Sequence, residues 1–373
     1  MAINHMAPVD MSCIIMAKTK DQMSMTRRLR LTKFKDVDIA DSFFDSLKDG
    51  YKADFEAWFA KKSEEELYTV VDDADELSGM VYLKGEKGEI SDISPPLPSM
   101  SWLKVGTFKI DSRGTRLGER VIKKIFDTAI SMDSDGIYVT VFETHAHLIK
   151  LFRRYGFIEW GTKVTKNGTE LVLVRILSEL HGDLLLDYPF VHVNGKKHWL
   201  LAIKPQWHTQ LLPDSILRNE HSEIVRDVSH TNTIHKVYIG HVSFDRISKG
   251  DTIVFYRTMD RPPAKFRSVV TSICVAEEIR KRRDFADEDA FVRYCKPRSV
   301  YTEEELRNEF RRPGILSVVK MTYNAALNKR LIRDTLLDDI GVSPYYWVLT
   351  EISAGQFGRI VELGEVNARL IVN

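Results

Sequence analysis

Cysteine is scarce. The chain holds three, Cys13, Cys274 and Cys295, far apart and without metal-site spacing. Neither a disulfide framework nor a cysteine-ligated zinc is expected, which suits a reducing cytoplasm, the expected location. No apolar run approaches the roughly 18–20 residues of a membrane span, so no membrane partner is expected. An excess of one charge sign is missing as well: Lys and Arg number 54 against 53 Asp and Glu, a formal net charge of +1. No global field then draws the chain to a polyanion, and any such site must be a local patch. His181, His192, His198, His208, His221, His230, His235 and His241 crowd one segment, but no pair has the spacing of a structural zinc site, and no metal is expected. No repeat of solenoid period is visible.

What is present fits an ordinary globular chain. Its 373 residues suffice for two domains, and 43% hydrophobic with 29% charged residues is a globular composition. The Met-rich start lacks a long apolar core, so residues 1–25 read as a loose leader and not as a signal peptide. The chain is organised around Trp102 to Phe157. Trp102 to Ile110 reads as a strand, and Arg113-Gly114-Thr115-Arg116-Leu117-Gly118 as a basic Gly turn. A helix from Glu119 to Met132, a strand from Ile137 to Phe142, a helix from Ala146 to Tyr155 and Gly156-Phe157 follow. A strand that empties through a Gly turn into a helix start is an anion site. The first helical N–H groups lack partners, and the dipole favours negative charge. Arg113 and Arg116 add charge there, and the turn reads as the phosphate cradle of a nucleotide-like cofactor.

Loop, strand and Leu151-Phe152-Arg153-Arg154-Tyr155-Gly156-Phe157, in this order, resemble the GNAT superfamily of acetyltransferases. Two departures stand out. Arg116 occupies the place of a usual Gly, and Phe152 that of the Tyr that often protonates the leaving thiolate. The resemblance implies an α/β (α+β) GNAT fold over residues 26–180, a mixed central sheet flanked by helices. It implies acetyl-CoA as acetyl donor and an amine as acceptor. It assigns the pyrophosphate to Arg113, Gly114, Thr115, Arg116, Leu117 and Gly118, and the pantetheine and oxyanion contacts to backbone at Phe108, Lys109 and Ile110, with Phe152 alongside.

Before that stretch, Arg28 to Phe34 reads as a strand, and Asp36 or Asp38 as the cap of a helix with Ile39, Phe43, Phe44 and Leu47 inside. Residues 84–99, rich in Gly, Ser and Pro, read as a loop. Past a boundary near Ser178 to Tyr188 the rhythm changes to short β-branched strands. Helices are expected at Asp287–Cys295, at Thr302–Phe310 behind a Thr302/Glu305 capping box, and at Asn328–Ile340. Many short strands with inserted helices suggest a small barrel. Trp199-Leu200-Leu201-Ala202-Ile203-Lys204-Pro205 and Ile247 to Tyr256 resemble PUA-like domains of the ASCH and EVE type. That resemblance implies a PUA-like β-barrel over 190–373 that binds RNA or a modified base.

Candidate acid–base groups are Glu143, His145 and Tyr155. Glu143 also suits a helix start, His145 a solvated cap, and Phe152 and Tyr155 the core face that Leu148 and Leu151 mark. In the second half Arg257, Arg267, Arg282 and Arg283 are candidate RNA phosphate contacts, unless the Arg280–Arg283 run is a solvated loop. The acceptor is expected to be RNA-linked or protein-linked. The alternative is a non-catalytic CoA-binding scaffold coupled to an RNA-reading module.

Overall fold

The computed structural model describes residues 27–51, 53–72, 74–110, 117–215 and 233–373. The expected leader, residues 1–25, and the loop residues Arg113, Gly114, Thr115 and Arg116 lie outside them. β1 (Arg27–Lys33) leads to Asp41, whose carboxylate accepts from Phe43 N and opens a short 3-10 turn. That turn runs into α1 (Asp45–Tyr51) and then α2 (Ala53–Lys61). The cap is thus Asp41, in place of the expected Asp36 or Asp38, because the chain makes an extra turn at Phe34–Asp36 first.

β2 (Glu66–Asp72), β3 (Leu77–Ile90) and β4 (Leu97–Ile110) follow, then α3 (Leu117–Ser131), β5 (Gly136–Val141), α4 (Ala146–Arg154), β6 (Ile158–Thr165) and β7 (Gly168–Ile176). Residues 84–90 belong to β3 and are not loop: pairing with β4 continues through Ile90↔Leu97 and overrides the Gly and charge content. The seven strands form one sheet in the order β1-β2-β3-β4-β5-β7-β6. Every neighbouring pair is antiparallel except β4 with β5. α3 carries the stripe Leu117, Val121, Ile122, Ile125, Phe126, Ala129 and Ile130. It buries that stripe with Leu148, Ile149 and Phe152 of α4 against Leu103, Val105, Val139 and Val141. The opposite sheet face packs Met80 and Tyr82 against Phe34, Phe43, Phe44, Phe55 and Phe59. At about 25 cal/mol per Å², these two apolar layers are the main source of stability in this half.

The second large sheet is built from β9 (His198–Ile203), β10 (His235–Gly240), β11 (Thr252–Arg257), β12 (Val269–Lys281), β13 (Ser317–Ile332) and β14 (Leu349–Ile352). Their order is β10-β13-β12-β11-β9-β14, with β9 and β11 parallel. The sheet curls: Tyr238 Oη on β10 donates to Ala202 O on β9 across the enclosed core, at 2.9 Å. Trp199, Leu201, Ile253, Phe255, Cys274, Val319 and Met321 fill the inside. No ladder joins β10 to β14 among the described residues, so the expected closed barrel is here an open curled sheet. α5 (Pro205–Leu211), α6 (Ala264–Arg267), α7 (Glu288–Cys295), α8 (Glu303–Arg311), α9 (Arg333–Asp338) and α10 (Ala354–Leu363) decorate it. The Thr302/Glu305 capping box opens α8 as expected. The helix expected over 328–340 shrinks to α9, because Leu331 and Ile332 pair with Val270 and Val269 and keep the chain extended. The two large sheets share no strand, yet one apolar cluster runs through both halves, from Val121 and Phe126 to Tyr188, Ile273 and Leu327. A short parallel pair, β8 (Val191–His192) with β15 (Ile371–Val372), lies beside the junction.

Candidate active site

β4 and β5 pair over four residues only, Trp102↔Gly136 to Val105↔Val139. β5 then leaves, while β4 runs on to Ile110 with β3 on its other side. Parallel strands that part leave a notch with backbone groups along one wall. A single extra residue shapes that wall. Tyr82 pairs with Thr107 and Leu83 with Val105, so Gly106 is a bulge. A one-residue insertion reverses the alternation of side chains beyond it. Phe108 and Ile110 therefore point to the α3/α4 side and join that core. Lys109 points to the other side, where its ammonium hydrogen-bonds Phe43 O and lies over the Phe43 ring. Gly is required at 106 by close approach, since a Cβ there would sit 2.6 Å from Tyr82 Cδ1.

Phe108 meets Phe152 edge-on at 5.8 Å, so these two expected site residues come together. Phe152 is fully buried and also packs on Phe157 at 4.9 Å. Leu117 is buried, and Gly118 admits Leu151 of α4 so closely that a Cβ would lie 2.8 Å from its Cδ2. Here Gly118 serves helix–helix approach at the start of α3. Glu143 and His145 are exposed on the turn between β5 and α4, and His145 makes no side-chain cap.

Tyr155 is 0% exposed and meets the second half at the junction. Its hydroxyl lies 3.2 Å from His235 Nε2, which also receives Arg154 Nη2 at 3.0 Å. Arginine only donates, so Nε2 is an acceptor and the His235 proton sits on Nδ1, against Glu277. Lys320 closes the chain on Glu277 at 2.5 Å. Burial pushes the Glu277 carboxyl up, but His235 and Lys320 outweigh it and hold it below its usual range. Arg154 also reaches Glu119 in the first turn of α3, at 3.4 Å.

The sequence reading missed a polar cluster on the α1/α2 face of the sheet. Lys104 on β4 pairs in register with Tyr138 on β5 and with Lys84 on β3, and Glu86 pairs with Trp102. The fully buried Tyr138 donates its hydroxyl to Glu86 Oε2. Glu86 Oε1 lies 3.1 Å from Lys84 Nζ and 3.9 Å from Lys104 Nζ. The Glu86 side chain is 18% exposed and that of Lys104 25%. Burial raises the Glu86 carboxyl, yet the Tyr138 hydrogen bond and the two lysines outweigh it and keep it below the usual range. Burial lowers the Lys104 ammonium, with Glu86 opposing. Burial and the bond to Glu86 push the Tyr138 phenol up, so it stays protonated.

The four second-half arginines do not line one groove. Arg257 and Arg267 flank the start of β12, and Arg282 and Arg283 follow its end, roughly 40 Å of extended chain away. Arg257 is buried, and Arg267 forks onto Asp260 with its Nε 2.5 Å from Oδ1. Arg282 is held by Arg312 O and by Gly314 O at 3.3 Å. Arg283 stands out to solvent, its side chain 78% exposed. Arg280 and Lys281 are strand residues paired with Glu278 and Asp245, so the run is not a loop.

No protein-family model matches the chain, and no curated protein matches it. Several solved structures are similar to parts of it. The NatC complex bound to Gag peptide and CoA is 16% identical, covering 40% of this chain and 99% of that one, with a TM-score of 0.29. Arabidopsis thaliana NAA60 in complex with a bisubstrate analogue is 15% identical, covering 40% and 98%, with a TM-score of 0.30. ASCH from Zymomonas mobilis is 12% identical, covering 45% and 95%, with a TM-score of 0.32. With TM-scores below 0.5, none of these likenesses assigns this chain to a family.

Proposed function

We propose that the first half binds acetyl-CoA in the notch between β4 and β5 and transfers its acetyl group to an amine. The parting of β4 from β5 after Val105 carries this reading. The edge at Gly106, Thr107 and Phe108, which β5 no longer pairs, suits an extended chain of amides such as pantetheine. A backbone N–H there suits the carbonyl oxygen of the thioester as charge builds on it. The start of α3 packs beside the notch and brings its dipole to a pyrophosphate, with Arg113, Gly114, Thr115 and Arg116 leading into it in sequence. Phe108 and Phe152 form an apolar floor that keeps water from the α3/α4 side. The second half, in this reading a PUA-like presenter, holds an RNA-linked or protein-linked acceptor. Arg283 is the exposed cation of its basic run that an RNA phosphate would reach.

Calorimetric titration with acetyl-CoA, followed by free-thiol release in the presence of amines, tests the reading. One-to-one binding and sustained thiol release are expected, and absence of heat sinks it. The buried Phe152, which supplies no proton where a hydroxyl is usual in the resembled family, favours a second reading, a CoA-binding scaffold. Binding without any thiol release would support the scaffold and refute transfer.

A further inference from the structure

We infer that Glu86 and Lys104 are the proton acceptor and proton donor of the transfer, and that the acceptor is a primary amine arriving from the α1/α2 face. This rests on the acetyl-transfer reading above. The notch has two sides of opposite character. Toward α3 and α4 it is closed by Val105, Val139, Val141, Phe108 and Phe152, all in the apolar core. None of these five side chains can move a proton. On the other face, Lys104 and Tyr138 form the rung just before the final Val105↔Val139 pair, so their side chains stand at the foot of the notch. Glu86 joins them from β3, part-exposed and thus reachable.

The chemistry closes with water as the one further proton acceptor. An incoming ammonium gives a proton to the Glu86 carboxylate. The freed amine nitrogen bonds to the thioester carbonyl carbon, the C–S bond breaks, and the second N–H proton, strongly acidic once the nitrogen is acylated, leaves to water. The leaving thiolate takes a proton from Lys104, and Glu86, 3.9 Å away, returns its proton to Lys104. One amine proton thus ends on the thiol and the other in solvent. Tyr138 is a positioning residue: its hydrogen bond to Oε2 turns Oε1 toward the lysines. The ammonium groups of Lys84 and Lys104 also disfavour a second cation beside them, which eases loss of the acceptor's proton. The depressed carboxyl of Glu86 keeps it ionised and ready, and the burial of Lys104 makes it a better acid than an ordinary lysine.

The test uses the full chain, acetyl-CoA and two small nucleophiles, ethylamine, which must lose a proton, and hydroxylamine, which is largely unprotonated at neutral pH. Glu86→Gln should lower thiol release with ethylamine ~100-fold and leave the hydroxylamine rate within a few-fold. Lys104→Met should slow both nucleophiles alike, because the leaving thiolate is the same. Acetyl-CoA affinity should be unchanged in both variants. Equal losses on the two nucleophiles in Glu86→Gln, or no loss, overturn the assignment and leave transfer standing, as does a wild type that uses hydroxylamine but not ethylamine. A wild type that binds no acetyl-CoA, or acetylates neither nucleophile, overturns the transfer reading and this inference together. Should Glu86→Gln fail to fold, Glu86→Asp keeps the charge on a shorter arm and should show the same selective loss, smaller in size. A variant that is equally slow with both nucleophiles refutes the role.

Discussion

Replacing Gly106 with Ala probes the device that shapes the notch. The added Cβ would lie 2.6 Å from Tyr82 Cδ1 and 3.0 Å from Cε1, about 0.8 Å inside the 3.4 Å at which ordinary contact begins. The ring has nowhere to go. Its hydroxyl donates to Glu65 and receives Lys62 Nζ at 3.0 Å, while Phe34 stands edge-on at 5.3 Å and Trp58 at 6.1 Å. The bulge must yield instead. Overpacking of this kind costs ~1–3 kcal/mol, read as a lowered urea midpoint at unchanged slope. Because the bulge sets which way Phe108 faces, acetyl-CoA affinity should fall too, ~10-fold for each ~1.4 kcal/mol that reaches the site. A Tyr82→Ala background supplies the control. With the ring gone, Gly106→Ala should cost little, giving a coupling energy of order 1 kcal/mol or more. An unchanged midpoint and affinity in Gly106→Ala, or the same penalty without Tyr82, would show that close approach to the ring is not what requires glycine.

Tyr155→Phe should lose the His235 contact and ~0.5–1.5 kcal/mol of stability, with thiol release unaffected. A collapse of turnover at intact acetyl-CoA binding would return Tyr155 to the acid role. His208, fully buried against Thr271, has its pKa lowered to about 3 by burial, with Arg257 and Arg330 adding to it. The unfolded chain takes that proton near pH 6.5 and the folded chain only near 3, so stability is lost as pH falls between them, about 2 kcal/mol from pH 7 to 5. Denaturation at pH 7 and 5 should show His208→Gln with a shallower loss than wild type, and equal slopes would refute it.

Helices were legible because their signals are local. The α3 stripe from Leu117 to Ile130 and the Thr302/Glu305 box each lie within a few turns of chain, and helix packing obeys the same 3.6-residue spacing. The order of strands and helices from Trp102 to Phe157, residues 111–116 aside, was legible for the same reason. Pairing is another matter. Whether residues 84–90 extend β3 depends on β4, and whether Leu331 is strand or helix depends on β12, partners that no local pattern names. Site chemistry was decided at the same level. Glu86, Lys104 and Tyr138 lie up to 52 positions apart and become one cluster only through two ladders. Tyr155 shares a helix face with core residues, so periodicity left it open, and the second half, by bringing His235 against it, made it part of the junction. The basic residues kept their charge but not the expected freedom: Asp260 and Glu278 neutralise Arg267 and Arg280 from nearby in the chain, and Asp245 neutralises Lys281 from a distant segment. Composition counts charges, and only tertiary contact decides which of them meet water, because an ion pair needs a partner within about 4 Å in space and not in sequence.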